Sequence, residues 1–388
     1  MSDAPLYLMT PREIAWGYLV GHEGTTPPEA QWRGSPREVL ERILLGALER
    51  QPCGVAFSGG RDSSLVLAVA THVARREGLV EPIPVTRRFP GMARATETDW
   101  QEMVIRHLGI SEWHRVTIDD ELDLVGPLAS RHLLEHGVLW PPTIHGDIPL
   151  TAEFAGGHVL DGEGGDEVLG VEAHRIAPVR ALARSPRHAS LRRLRSAAGA
   201  VLPPSVRRQR ALLRYRSSHV TWLRADAQQE LVDAVVEVEV GQPLSYERSV
   251  HHVPRRRTQS VLRRNRRALA QQRRSDIQSP LLHPDFVAAL GRDGGFLGRG
   301  DRTAVIRSIA NDLLPDALLS RTSKAIFNQA FLGPHAREFA RHWDGSGVDH
   351  SIVDAEELRR IWQSERGHAM TSALLQAAWL SHQSPSQS

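Results

Sequence analysis

The stretch Val55-Ala56-Phe57-Ser58-Gly59-Gly60-Arg61-Asp62-Ser63-Ser64 runs into the apolar segment Leu65-Val66-Leu67-Ala68-Val69-Ala70. This order predicts a buried strand, a turn of small residues and an apolar helix, an arrangement suited to binding phosphate. Glycines let the backbone approach phosphate oxygens, serines add hydroxyl donors, and the first N–H groups of the helix point at the negative charge. The alternative is an ordinary Gly-Gly turn between a strand and a helix. We expect the phosphates of a nucleotide to bind at Ser58, Gly59, Gly60, Asp62, Ser63 and Ser64.

The carboxylate of Asp62 within this turn indicates a metal ion. Phosphate would repel it unless a divalent cation lay between them, so the sequence predicts magnesium together with a nucleotide. The turn contains no lysine and is shorter than Gly-x-x-x-x-Gly-Lys-Ser/Thr, which excludes a kinase-type phosphate loop.

A second glycine-rich turn occurs in Val159-Leu160-Asp161-Gly162-Glu163-Gly164-Gly165-Asp166-Glu167-Val168-Leu169-Gly170. Four carboxylates lie within seven residues of it, and such crowding is costly unless a cation or a proton intervenes. A solvated acidic loop is the alternative interpretation of this segment by itself. With the first turn it predicts one metal–nucleotide site, with Asp62 and Asp166 as metal ligands and Gly162 and Gly164 against the nucleotide.

Strands alternating with helices predict an α/β fold: a parallel sheet of about five strands flanked by helices, followed by a mainly helical C-terminal part. In such sheets ligands bind at the carboxyl ends of the strands, where both turns fall. We also place Val85, on the second predicted strand, among the nucleotide-binding residues. The predicted elements are helix 36–50, strand 54–57, helix 63–77, strand 83–86, helix 97–108, strand 113–118, helix 121–136 and strand 158–161.

The composition of the 388-residue chain is that of an ordinary globular protein, with 41% hydrophobic and 24% charged residues. Its single cysteine, Cys53, excludes an internal disulfide framework and fits a cytoplasmic location, and we interpret it as a packing residue. No apolar run approaches the length of a membrane span, and the N-terminus lacks a secretion pattern. The sequence therefore predicts a cytoplasmic protein with no membrane partner.

The two turns together resemble the synthetase domain of the asparagine synthetase family, within the ATP pyrophosphatase superfamily. Relatives of that class include beta-lactam synthetases and the macrolactam cyclases of lasso peptides. Two looser segments extend the resemblance, Ser279–Pro284 and Leu313–Phe327, so that it covers residues 36–335. It implies an adenine nucleotide alpha hydrolase-like fold that uses ATP and Mg²⁺ to adenylate a carboxylate and form an amide. On this basis residues 1–35 are an N-terminal extension, an arginine-rich helical insert occupies about 175–275, and 336–388 form a C-terminal helical region.

Lys324 is the only lysine among the 48 Lys and Arg residues. A chain so rich in arginine that keeps one lysine suggests a site that needs a compact ammonium, although chance survival is the alternative. The resemblance places the catalytic lysine of the family here, where it would stabilise the oxyanion and the leaving pyrophosphate. Glu163 stands where the family places the base that takes the proton of the amine, and a structural or metal-shell role is the alternative.

Several departures from the family bear on the substrates. Residue 2 is Ser, not the cysteine that releases ammonia from glutamine, and few residues precede the first motif. Nitrogen then comes from free ammonia, from a partner protein, or from an amine on a substrate, which favours a peptide or natural-product ligase. Asp161 replaces a small hydroxyl residue and His283 replaces an aspartate, so we expect a different acceptor pocket.

Thirteen arginines and no Asp or Glu lie between Arg175 and Arg224. Such a run usually forms a solvated face or packs on acidic neighbours. The functional alternatives are that it binds an acidic peptide, a protein partner or nucleic acid. Few aromatic residues lie among the arginines, which disfavours a nucleic-acid groove. A tRNA-modifying enzyme of the same superfamily and an asparagine synthetase-like amidotransferase supplied with ammonia by a partner remain the alternatives.

Overall fold

The computed structural model describes residues 5–24, 30–90, 97–188, 190–215, 220–321, 331–364 and 367–383. The strands are β1 Cys53–Ala56, β2 Ile83–Arg88, β3 His114–Thr117, β4 His158–Leu160 and β5 Asp276–Gln278. The first nine helices of the described part are α1 Pro11–Trp16, α2 Pro36–Leu48, α3 Arg61–Glu77, α4 Thr98–Leu108, α5 Pro127–His136, α6 Ile148–Ala152, α7 Gly165–Val168, α8 Ala177–Arg184 and α9 Leu191–Val201. The later ones are α10 Pro204–Tyr215, α11 Ala225–Gly241, α12 Tyr246–Val250, α13 Arg257–Gln272, α14 Pro284–Gly294, α15 Arg302–Ala310, α16 Asp316–Leu319, α17 Pro334–His342, α18 Ala355–Gln363 and α19 Ser372–Gln383.

The five strands form one parallel sheet in the order β3-β2-β1-β4-β5, which confirms the predicted fold class. β1 lies between β2 and β4, with Gly54 opposite both Ile83 and Val159. The chain order reverses at β1, so the turns that follow β1 and β4 meet at the carboxyl edge of the sheet. This is the switch point at which open α/β sheets bind ligands.

The element boundaries differ from the sequence prediction at a few places. α3 begins at Arg61 rather than residue 63. α5 begins at Pro127 rather than residue 121, because a proline at the first helical position favours a helix start there. β5 was not placed from the sequence, where the chain beyond residue 170 reads mainly as helices. Its three residues are Asp276-Ile277-Gln278, and only Ile277 is buried, so no apolar pattern marks it.

Two large apolar clusters hold the sheet and its helices. The first joins β1 and α3 to α2, α14 and α15, and it contains the fully buried Leu65, Leu67 and Phe57. α2 is started by a capping box in which Ser35 and Glu38 satisfy each other's backbone N–H groups. The second packs α1 against the C-terminal helices around Trp222, as part of the helical half of the molecule. No described helix is long and apolar enough to cross a membrane.

Candidate functional site

The turn after β1 and the turn after β4 touch each other because glycines face the contact. A Cβ on Gly162 would lie 2.7 Å from the backbone N of Ser63, and one on Gly165 would lie 2.2 Å from Cγ of Asp62. Any side chain at these positions would force the turns apart. Between them lies an open cavity of about 560 Å³. The joint site predicted from the two glycine-rich segments therefore has a single concave surface in the structure.

The turn after β1 is held by its own serines. The Ser58 backbone N–H donates to Oγ of Ser63 at 3.3 Å, the two hydroxyl oxygens lie 3.1 Å apart, and Ser63 Oγ donates to the carbonyl of Gly60 at 3.1 Å. Gly59 has φ +82°, a conformation that disfavours side chains. In the described structure no side chain caps the start of α3, whose first N–H groups face the cavity edge with Gly60 as N-cap. These donors suit an anion.

Most of the predicted site residues lie on this cavity. Gly59 is a buried residue of the turn, Ser64 is fully buried, and Val85 packs in the core beside Phe154 and Val159. These three do not line the cavity. Lys324 lies outside the described residues, so its predicted role stays a prediction. The predicted residues that line the cavity are Ser58, Gly60, Asp62, Ser63, Gly162, Glu163, Gly164 and Asp166.

Asp62 and Asp166 meet at one cation, the guanidinium of Arg302 at the start of α15. Arg302 Nε donates to Oδ1 of Asp62 at 2.9 Å, its Nη2 donates to Oδ2, and its Nη1 donates to Asp166. Burial raises the pKa of Asp62 above its usual value, and the charge of Arg302 opposes that rise. The two carboxylates predicted as metal ligands thus share a positive partner already.

The donor set fits magnesium in part. Two carboxylates that converge on one positive charge are the hard oxygen ligands Mg²⁺ prefers, and nucleotide phosphates and water complete its shell in sites of this kind. Within the described ranges no three His, Cys, Asp or Glu side chains are assembled to hold a metal by themselves. A metal here would therefore take its remaining ligands from nucleotide phosphates or from water.

Glu163 lies on the other side of the cavity, beside Gln259 of α13. Gln259 Nε2 donates to Oε1 of Glu163 at 3.1 Å and to Oε2 of Glu167 at 2.7 Å, and Arg256 pairs with Glu167 at 2.9 Å. The amide thus orients both carboxylates. Gln259 was missed from the sequence, although it stands seven residues before Arg266, which places the two side chains on one face of α13.

Asp161 lines the cavity between the two turns, and its carboxylate belongs to a chain of buried charges. Arg266 Nη1 binds its Oδ2 at 2.7 Å, and Arg266 Nε binds Asp147 at 2.6 Å, while Arg87 binds Asp147 at 3.0 Å. Burial works to raise the pKa of Asp147, but Arg266 and Arg87 outweigh it and hold that pKa below its usual value. That Asp161 changes the acceptor pocket stays a prediction, and the sequence did not indicate its pairing with Arg266.

His283 lies at the mouth of a second cavity, of about 300 Å³, which shares Arg266 with the first. Its Nδ1 accepts the backbone N–H of Asp285 at 3.3 Å, and its ring stacks on Trp32 at 5.8 Å between centroids. Arg263 of α13 lines the same cavity. A carboxylate could be held there by its positive lining.

Arg321 ties the end of the described α16 region to the turn after β1. Its Nη1 donates to the carbonyl of Gly59 at 2.9 Å and to Glu97 at 3.1 Å, and its guanidinium lies 4.8 Å from the ring centroid of Trp100. It is nearly buried.

The fold is of the α/β nucleotide-binding type, with the glycine-rich turn after β1 at the switch point of the sheet. The sequence profile of the asparagine synthase family matches residues 37–382, most of the chain, and the protein belongs to that family. Members of the family are ATP-dependent ligases that form amide bonds and release AMP and pyrophosphate, and the chain is an enzyme of that general class. No curated protein matches it.

Proposed function

We propose that the enzyme adenylates a carboxylate of a peptide or natural-product substrate and then joins it to an amine carried by a substrate. The observation that carries the proposal is the meeting of the two turns over one cavity, with Asp62 and Asp166 directed at a single cation. Membership of the asparagine synthase family supports the adenylating chemistry.

The first step uses the donors at the switch point. The Ser58 and Ser63 hydroxyls and the N-terminus of α3 bind the phosphates of ATP, and Asp62 and Asp166 hold magnesium. Bound magnesium neutralises charge on the phosphate oxygens. A carboxylate oxygen of the substrate forms a bond to the α-phosphorus while the bond to the pyrophosphate oxygen breaks, which yields an acyl-adenylate and pyrophosphate.

The second step needs a base near the acyl group. The amine nitrogen bonds to the acyl carbon, its proton passes to Glu163, and AMP leaves with the bonding electron pair. Gln259 holds Oε1 of Glu163 at 3.1 Å, so it fixes the direction of the carboxylate. Lys324, the only lysine, supplies the compact positive charge for the oxyanion and pyrophosphate in this proposal.

The burial of the single cysteine bears on the source of the amine. Cys53, the single cysteine of the chain, is fully buried in β1, and burial raises the pKa of its thiol to about 12. A thiol of this kind does not attack glutamine, since the reactive form is the thiolate. The chain itself therefore has no thiolate to release ammonia, which favours an amine on the substrate or ammonia from a partner protein.

The test is the nature of the products. Peptides that carry both a side-chain carboxylate and a free amine are incubated with ATP and magnesium, and nucleotide and peptide products are followed by mass spectrometry. We expect AMP, pyrophosphate and loss of one water from the peptide. Formation of ADP, or amide formation only from aspartate and ammonia, would contradict the proposal.

Two variants separate the steps. Glu163→Gln keeps the shape of the side chain, so we expect acyl-adenylate to form and to be trapped by hydroxylamine while amide formation falls on the order of a hundredfold. Lys324→Arg spreads the charge, so we expect loss of turnover with ATP binding largely kept. If turnover is unchanged in Lys324→Arg, the assignment of that ammonium is wrong.

A further inference from the structure

Two cavities of the described structure lie side by side between α8, α9 and α10, and neither shares a lining residue with the cavity between the two turns. Their volumes are about 690 and 500 Å³, and they share the wall formed by Glu172, Ala177, Pro178 and Ser196. We call the pair the arginine cleft, because eight of its lining residues are arginines and three are acidic.

Some of these arginines stabilise the fold. Arg175 donates to the carbonyls of Ala200 and Gln242, and Arg207 donates to those of Glu239 and Val240. These bonds tie the helices of the cleft to the C-terminal end of α11. The side chains concerned need no further partner.

Three others have nothing to bind. Arg184, Arg192 and Arg210 line the cleft without a hydrogen bond or an ion pair to any residue that the structure describes. By contrast, Arg208 and Arg214, also on α10, pair with the acidic residues of α11. Packing on acidic neighbours therefore explains Arg208 and the cleft residue Arg214, and it leaves Arg184, Arg192 and Arg210 unexplained.

Like charges in the cleft repel each other. Burial and then the charge of Arg207 lower the pKa of Arg175, and burial and then Arg184 lower the pKa of Arg180. A concave surface with an excess of guanidinium groups is stabilised when an anion enters it, since charge-assisted bonds to carboxylates offset the repulsion.

The surroundings favour a peptide as that anion. Leu191 and Leu194, on the same helix as Arg192, are 72% and 43% exposed, which offers apolar contacts beside the charges. The aromatic residues that could stack on bases are engaged: Trp222 is fully buried, and the Tyr215 hydroxyl donates to Glu239 at 3.1 Å. Single-stranded nucleic acid lacks its stacking partners here.

The cleft also borders the ATP site. Asp301 lines it and caps α15, accepting the backbone N–H of Ala304 at 2.8 Å, and the next residue is Arg302 between the two carboxylates. Glu172 follows the acidic turn by only a few residues. We propose that the arginine cleft binds an acidic and apolar segment of the substrate peptide and so presents its carboxylate to the ATP site. This inference rests on the proposed function.

Binding is measured by fluorescence anisotropy, in the absence of ATP, with a short fluorescein-labelled peptide in which glutamates alternate with leucines. We expect salt-sensitive binding that weakens on the order of tenfold for each arginine replaced in Arg184→Gln and Arg192→Gln, because each loses a charge-assisted bond. Arg195→Gln is the matched control, since Arg195 lies on α9 outside the cleft lining. It should bind the peptide like the unchanged protein.

Two competitors complete the design. A peptide with glutamine in place of glutamate should bind at least tenfold more weakly, and a short RNA should not displace the acidic peptide at the same salt concentration. Equal binding of the neutral peptide, displacement by RNA, or the same affinity in Arg184→Gln/Arg192→Gln would each overturn the inference. Because the assay contains no ATP, its failure leaves the product test above intact, and failure of that test leaves this binding result standing.

Discussion

Arg302 and Asp62 form an ion pair with two hydrogen bonds at the turn after β1, and Arg302 Nε lies 2.9 Å from Oδ1 of Asp62. The two residues are 240 positions apart in the chain. The same guanidinium reaches Asp166. One guanidinium therefore bridges the two carboxylates and offsets part of their negative charge. Divalent metal and Arg302 compete for the same oxygens, so binding of metal requires the arginine to release them.

Arg302→Gln tests this competition. Without metal we expect the free energy of unfolding to fall by about 2 kcal/mol, because the largely buried carboxylate of Asp62 and the exposed carboxylate of Asp166 lose their cation. Without nucleotide, Mn²⁺ should bind the variant more tightly than the unchanged protein, as titrated by electron paramagnetic resonance. Magnesium should restore much of the lost stability in a urea titration.

Arg307→Gln is the control on the same helix. Arg307 pairs at 3.4 Å with the exposed Asp316, so we expect a change within about 0.5 kcal/mol and no effect on Mn²⁺ binding. If Arg302→Gln binds Mn²⁺ no better than this control, Arg302 is only a structural partner of Asp62.

Gly162→Ala addresses the contact between the two turns. The added Cβ would lie 2.7 Å from the Ser63 backbone N, so the turn after β4 must move away from the turn after β1. We expect KM for ATP to rise on the order of tenfold with secondary structure unchanged, measured by steady-state kinetics and circular dichroism. Gly46→Ala in α2 meets no atom within 4 Å and should leave KM unchanged while stabilising the helix slightly. An unaltered KM in Gly162→Ala would show that the turns need not touch.

The sequence predicted the site to the extent that its chemistry is local. Glycines, serines and carboxylates in two short turns predict a phosphate site, because the residues that shape each turn are close together in the chain. The alternation of strands and helices predicts that both turns lie at the same edge of the sheet. Arg302 and Gln259 were missed, since they reach the site from distant elements and nothing in their neighbourhood marks them, and Arg321 was placed in a family-like segment without a role. β5 was missed because three residues with one buried side chain carry no periodic signal.

Glu97→Gln tests the anchor at Gly59. The ion pair with Arg321 is almost buried, with 4% and 10% of the two side chains exposed, so the variant removes a negative charge from beside a buried guanidinium. We expect a loss of about 3 kcal/mol in the free energy of unfolding. We also expect a higher KM for ATP, since Arg321 donates a hydrogen bond to Gly59 in the turn after β1. Glu102 is an exposed residue of α4, the helix that Glu97 precedes, so Glu102→Gln should change neither the stability nor KM. A stability loss without any change in KM would separate the anchor from nucleotide binding.

His132 of α5 is buried among histidines and has no hydrogen-bond partner for either ring nitrogen in the described part of the chain. Its ring centroid lies 4.9 Å from that of His136 and 6.4 Å from that of His145. Burial, and then the neighbouring histidines, lower its pKa from 6.5 to about 3. The folded protein therefore keeps this imidazole neutral at pH values where the unfolded chain protonates it.

This difference in pKa sets a pH dependence with a definite sign. The unfolded state binds the proton below about pH 6.5 and the folded state does not, so stability is complete above that pH and is lost as the pH falls toward 3. At about pH 5, protonation of the unfolded chain at this one residue lowers the free energy of unfolding by about 2 kcal/mol. His132→Leu removes that loss, so it should gain about 2 kcal/mol relative to the unchanged protein between neutral pH and about pH 5, measured by urea unfolding at both. His350→Leu replaces an exposed histidine and should show no such gain. Parallel pH profiles for His132→Leu and the unchanged protein would mean that His132 titrates alike in the folded and unfolded states.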